Sequence, residues 1–198
     1  MKPLFAVLTA CTALTLTSCV APVGPVEVTR FHVPELAIMG RSAIAVEPAA
    51  GQDGASLEFS SYASAVSRQL ILLGFSEAAS PGTSSQVAVL RVERHSWRPD
   101  RARGPVSVGI GGQTGSYGSG LGVGIGLDLS GPPPEQVETQ LSVTIKDRAS
   151  GKALWEGKAT FTVRATSPLA TTQLGAAKLA EALFKGFPGS SGETIRVQ

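Results

Sequence analysis

The sequence predicts an α+β two-layer sandwich, an antiparallel or mixed sheet with two helices on one face and a Gly-rich β-hairpin. Three observations carry that expectation. Mostly apolar and mostly polar sets alternate over Val137–Ile145 and Ala153–Val163, the period of half-buried strands. Phe59, Tyr62, Ala63, Val66, Leu70 and Leu73 recur three and four residues apart, the period of an amphipathic helix. The same spacing returns after Ser167 and Pro168 through Leu169, Ala176, Leu179, Ala180, Leu183 and Phe187.

The first element is not part of the sandwich. Lys2 precedes an uncharged, apolar run from Pro3 to Leu16, which is the pattern of a secretion signal and is shorter than the roughly twenty residues a spanning helix needs. Leu16, Thr17, Ser18 and Cys19 resemble the lipobox of bacterial lipoproteins, which implies cleavage between Ser18 and Cys19 and acylation of the Cys19 thiol. Residues 1–18 are then the signal peptide, 19–26 the lipidated cysteine and its tether, and 27–198 a single domain with the hairpin over 105–131. Cys11 falls in the removed segment, so the domain has no disulfide and must be held by its core. Val20 follows the cysteine where, by resemblance to the sorting rule of enteric bacteria, an aspartate would retain the protein at the inner membrane. The expected address is the periplasmic face of the outer membrane. Palmitate and its companion chains supply the hold, at about 0.8 kcal/mol per buried methylene.

The domain elements follow in order. "VAPVGPVEV" has prolines and a glycine and reads as an extended tether. "EVTRFHV" and "SAIAVEP" are short strands, each meeting a proline. Ser56 or Ser60 can cap the first helix, and Gly74 can take the left-handed position that ends it. "QVAVLRVERHSW" is a strand apolar on both faces at first and charged later. After the glycine strip and Pro132–Pro134 comes the clearest hairpin, with "DRASGK" as its turn. Ser167 and Pro168 are a cap and a first-turn proline for the last helix, and Gly186, Pro188 and Gly189 stop it.

The lipobox, the Phe59, Tyr62, Val66, Leu70, Gly74, Phe75 pattern, the Gly-rich middle, "IKDRASGKALWEGKATF" and "LFKGFPG" together resemble the lipoprotein family known as domain of unknown function 4136. The resemblance runs from about Val26 to Val197 and is most specific at Asp147, Gly151, Leu154, Trp155 and Gly157. It implies an envelope lipoprotein with a small α+β domain and assigns no catalytic residues.

The glycine strip, Val106–Leu129, invites a nucleotide reading that its spacing rejects. Gly109 and Gly111 are followed by Thr114, and Gly122 and Gly124 by Leu127, so G-x-G-x-x-G is never completed. Gly151-Lys152 and Gly157-Lys158 are each followed by Ala where a phosphate loop needs Ser or Thr. What the strip has is period two, with Val106, Val108, Ile110, Leu121, Val123, Ile125, Leu127 and Leu129 alternating with mostly glycine. One face is greasy and one is bare. Three uses compete: packing on the protein's own helices or sheet edge, strand exchange with a partner or a second copy, and membrane insertion, for which Tyr117 is the single aromatic offered.

The second feature is "RVERHSWRPDRAR", with Arg91, Arg94, Arg98, Arg101 and Arg103 against Glu93 and Asp100. Guanidinium groups there suit phosphate or carboxylate, and Trp97 suits a ring or the lipid interface. The bland alternative is a solvated loop with Trp97 in the core. Seventeen Lys and Arg face fifteen Asp and Glu, too even a balance for a nucleic-acid partner. The two histidines, His32 and His95, complete no hydrolase or zinc motif, and the one mature cysteine is spent on lipid.

The expectation is an outer-membrane-anchored, non-catalytic interaction or assembly module of the cell envelope, with no cofactor, no metal and no catalytic residue. Its partners are the membrane through Cys19, an envelope protein and, as one form of strand exchange, further copies of itself. Tyr117, Arg98, Arg101 and Arg103 are the candidate contact residues. The alternatives are an envelope lipid- or glycan-binding protein and, behind it, an envelope hydrolase built around His95.

Overall fold

The computed structural model describes residues 24–34, 40–80, 82–100 and 131–198, together with the backbone of 106–115 and 118–127. Ser18, Cys19, Arg101, Arg103 and Tyr117 lie outside the described residues. In chain order the elements are β1 (Val26–His32), β2 (Ala43–Pro48), α1 (Leu57–Leu72), β3 (Ser76–Glu77), β4 (Gln86–Trp97), β5 (Val106–Gly115), β6 (Gly118–Leu127), β7 (Gln136–Asp147), β8 (Ala153–Arg164), α2 (Thr172–Phe184) and β9 (Thr194–Val197). Among the described residues, seven strands form one sheet in the order β3-β2-β4-β7-β8-β1-β9, and β5 and β6 form a separate two-stranded sheet.

The sheet is mixed because β2 runs parallel to both β3 and β4, while every other neighbour is antiparallel. A parallel pair needs a crossover, and α1 supplies the one between β2 and β4. Both helices cover the same face. The expected α+β sandwich is the observed fold.

Strand alternation feeds that buried layer. Val137, Thr139, Leu141, Val143 and Ile145 on β7 are buried, as are Trp155, Gly157, Ala159, Phe161 and Val163 on β8. Leu154 is buried as well, beside the register shift at Ile145 and Lys146. Phe59, Tyr62, Ala65, Val66 and Leu70 descend from α1, and Ala176, Leu179, Ala180 and Leu183 from α2. Trp155 stacks on Phe184 with ring centroids 5.3 Å apart and sends its indole N–H 3.0 Å to the carbonyl of Pro188. Gly157 faces Trp155 and Leu183, and only a residue without Cβ leaves both their places.

Helix ends follow the expected chemistry once and depart from it once. Ser56 accepts the amide of Phe59 at 3.1 Å, and Gly74 takes φ +94° after α1. Ser167, read as the cap of the last helix, instead caps a single 3-10 turn, Pro168–Ala170. Thr171 then turns extended, its hydroxyl donating 2.6 Å to the Pro168 carbonyl, and α2 starts at Thr172. That local bond competes with helix propagation, as short hydroxyl side chains do. The strand β9 was not foreseen; it adds an edge to β1 through four residues, with Arg196 3.1 Å from Glu27.

Candidate functional site

The glycine hairpin, β5 and β6, pairs in the register of the central β4–β7 ladder while forming a sheet of its own. Antiparallel β4 and β7 pair without slip from Gln86 opposite Asp147 to Trp97 opposite Gln136. Nine positions after Trp97 and nine before Gln136, Val106 stands opposite Leu127 in the same register, and the pairing continues to Gly115 opposite Gly118. Arg98 and Glu135, the next partners beyond Trp97 and Gln136, approach to 3.9 Å. The ribbon is therefore a phase-matched extension of the central ladder, interrupted by two stretches that contain the prolines at 99, 105, 132, 133 and 134. Its own rungs set aliphatic against aliphatic (Val108 and Ile125, Ile110 and Val123) and glycine against glycine (Gly109 and Gly124, Gly111 and Gly122). Neither helix packs extensively on it among the described residues.

The end of the sheet from which the ribbon leaves has a composition of its own. Trp97 is half-buried and stacks on exposed His95, centroids 6.0 Å apart and planes 20° apart. One turn of strand earlier, Arg94 reaches the first turns of both helices: Glu58 at 3.3 Å, the Thr172 hydroxyl at 3.5 Å and the Ala170 carbonyl. Both helices thus begin at this end. Leu57 and Leu174, in those first turns, are 88% and 51% exposed, an apolar pair where the domain otherwise presents charge. Glu27 shares a rung with Thr160, Gln140 and Glu93, so the chain before Val26 also points toward the Trp97 end.

Residues 34–189 match the family described as domain of unknown function (DUF4136). The chain belongs to the DUF4136 family. Its match stops short of β1 and β9, the two strands that close one side of the sheet. An uncharacterised protein of Zymomonas mobilis is 27% identical over 215 residues, covering 88% of this chain and 80% of that protein. Among solved structures, a PDZ domain protein from Parabacteroides distasonis superposes with a TM-score of 0.47 at 8% identity; the match takes in 88% of this chain and 39% of that one. The PelC dodecamer from Paraburkholderia phytofirmans does so at 0.39 and 14% identity, over 79% of this chain and 95% of that one.

In this DUF4136 domain the arginine-rich stretch does not form one patch. Alternation puts Arg91 and Arg94 on opposite faces; Arg91 donates 3.1 Å to the Ala50 carbonyl while Arg94 ties the helices. Arg98 is the freer of the described three, with a 60% exposed side chain and a long approach to Glu135. Trp97 is neither a core residue nor a free one; it lies at the edge of the open face.

The histidines are placed apart. The His32 ring contacts the carbonyls of Val33 at 3.0 Å and Gly189 at 3.1 Å, and Ser191 bonds the His32 backbone rather than the ring. His95 lies on the open face opposite Glu138. Among the described residues no group of three or more His, Cys, Asp or Glu is placed to hold a metal, and no helix is long and apolar enough to cross a membrane.

One buried charge escaped the sequence reading. Arg30 is 4% exposed, and it donates through Nε to Leu183 O at 2.9 Å and through Nη2 to Ala182 O at 3.0 Å, the last carbonyls of α2. It borders a cavity of about 250 Å³ shared with Lys185, Gly189, Ser190 and Glu193. The signal was available: on β1 the inward phase is Val26, Val28, Arg30, so an arginine occupies an apolar position. Its role is to finish a helix, which explains its burial without a ligand.

Proposed function

We propose that this DUF4136 protein is a lipid-anchored envelope protein at the periplasmic face of the outer membrane, a non-catalytic interaction or assembly module that works through its glycine ribbon. The supporting observation is the register: β5 and β6 pair in the same register as the central β4–β7 ladder and stand apart as their own sheet. The edges of a two-stranded sheet are templates for added strands. Acylation of Cys19 would hold the domain at the membrane and raise its effective concentration for a partner there. The test is photocrosslinking in the native cell from probes at Tyr117 and at Arg98, alongside a Cys19→Ser variant. The expected result is one recurrent protein adduct at Tyr117, lost when Cys19→Ser releases the protein from the membrane fraction.

A second reading, ligand binding by Arg98, Arg101 and Arg103, draws support from the exposed Arg98 guanidinium beside Trp97. Adducts to lipid or glycan at Arg98, with none to protein at Tyr117, would favour it.

A further inference from the structure

The ribbon has the dimensions of a membrane strand pair. Each strand has ten residues, within the roughly nine to eleven that span a bilayer, and is about 33 Å long. Tilted by about 40°, as strands of membrane barrels are, it rises about 25 Å, the height of their apolar band.

Its two faces have the matching chemistry. No charged residue occurs from Val106 to Leu127. Register places Val106 with Leu127, Val108 with Ile125 and Ile110 with Val123 on one face, followed by Gly112 with Leu121 and, nearest the turn, Thr114 with Ser119. The other face is Ser107, Gly109, Gly111, Gln113 and Gly115 opposite Gly126, Gly124, Gly122, Gly120 and Gly118. Aliphatic outside and small or polar inside is the dyad pattern of a barrel wall. In water, by contrast, a lone two-stranded ribbon is marginal, and β5 and β6 pair with no third strand among the described residues.

The ribbon leaves the domain at the end of the sheet where β1 begins, the end at which Trp97 pairs with Gln136. Val26 lies seven positions beyond Cys19, at most about 25 Å of extended chain. Leu57 and Leu174 are exposed at the same end.

We infer that ribbons from several copies of this chain pair edge to edge in the bilayer and close a composite transmembrane β-barrel. This deepens the anchored-module reading and rests on it: the anchor supplies the bilayer, and the partner strands come from further copies. Hydrocarbon tolerates no unpaired strand edge, so a single ribbon cannot stay inserted and closure is obligatory. Two strands per copy reach the smallest known barrels, about eight strands, with about four copies. Such a barrel is ordinarily filled by inward side chains. Eight glycines on the inner face of each ribbon leave this one open to water and small solutes.

The experiment uses the full chain, acylated in the cell, purified and reconstituted into phosphatidylethanolamine–phosphatidylglycerol vesicles loaded with a small fluorescent dye. With Cys19 acylated no other thiol remains, so single cysteines report cleanly. Expected are dye release that rises steeply with protein per vesicle, and labelling by a water-soluble thiol reagent at Gly124→Cys but at least tenfold slower at Ile125→Cys. Ile125→Asp should abolish release while vesicle attachment and the domain's circular dichroism stay unchanged. Vesicle-bound protein that retains the dye, or Gly124→Cys and Ile125→Cys labelled equally fast, overturns the barrel; so do ribbon-linked oligomers in solution that leave vesicles sealed. Wild type that incorporates no labelled palmitate in the cell, or Cys19→Ser that incorporates as much as wild type, overturns the anchored reading instead.

Discussion

The Arg30 guanidinium donates through Nε to the carbonyl of Leu183, 153 residues away in sequence and 2.9 Å away in space. A strand residue thereby finishes a helix. The last carbonyls of α2 have no intrahelical donors, and α2 carries no basic residue in its last turn. Burial lowers the pKa of Arg30, the direction expected when a cation loses water. Gly189, at φ +81°, leaves room for Nη1, which a Cβ there would approach to 2.7 Å.

Replacing Arg30 therefore tests capping rather than charge. Arg30→Met keeps much of the volume but strands two buried carbonyls, and is expected to cost about 2–3 kcal/mol. Arg30→Lys keeps the charge and loses the fork, and should fall between wild type and Arg30→Met. Urea denaturation midpoints at constant slope check the order. A Lys variant as unstable as the Met variant would show that the paired geometry, not the charge, carries the effect.

Gly157 is the tightest point of the core. A Cβ there would overlap the Trp155 ring and come within 2.8 Å of Leu183 Cδ1. Trp155 is fully buried and held by Phe184, Phe187 and its own hydrogen bond, so it has nowhere to go. Gly157→Ala is expected to destabilise by about 1–3 kcal/mol through overpacking, even though alanine suits a strand no worse than glycine. The loss should appear in thermal unfolding together with a changed near-ultraviolet signal from Trp155.

The contrast between legible and illegible parts of the fold follows from where information sits in the chain. Val137–Ile145 and the β8 alternation announce themselves because one face is covered by helices and the other is not. The same logic made the ribbon's two faces readable from Val106 to Leu127. Pairing partners of short strands are another matter: β2 joins β4 in parallel because α1 carries the chain over, and nothing in "AIAVEP" encodes that. β9 owes its existence to β1, against which four otherwise unremarkable residues find hydrogen bonds. Arg30 lay on an apolar phase in full view, but its partner carbonyls belong to a helix end far away in sequence. That the start of β1 and the Trp97 end of β4 share one end of the sheet follows from the register of four strands at once, which no local pattern contains.

Ser56 and Ser167 were equal as candidate caps and are unequal in the fold. Ser56 serves a sixteen-residue helix through the Phe59 amide, whereas Ser167 serves a three-residue turn through the Leu169 amide at 3.3 Å. Ser56→Ala should cost about 1 kcal/mol. Ser167→Ala should cost clearly less, because unwinding one 3-10 turn leaves α2 intact. Equal losses in chemical denaturation would mean that the turn before α2 is coupled to the helix more tightly than its extended Thr171 implies.

Tyr62 links the core to alkaline pH. Its ring is 1% exposed between α1 and the sheet, and burial pushes its hydroxyl up to about 12, with Glu58 adding to the rise and the Arg94 charge and the Thr139 side chain opposing it. In the unfolded chain the same hydroxyl ionises near its ordinary value of about 10. The native state thus keeps a proton that the unfolded state gives up. The stability linked to that proton is fully present below about pH 10 and is lost as pH rises through about 12, by about 3 kcal/mol at most. Tyr62→Phe cannot ionise, so its own contribution to that slope vanishes. The variant should lie within about 1 kcal/mol of wild type at pH 8 and should overtake it at pH 11.5. Urea midpoints at the two pH values decide the matter: parallel losses in both proteins would place the alkaline sensitivity elsewhere than at Tyr62.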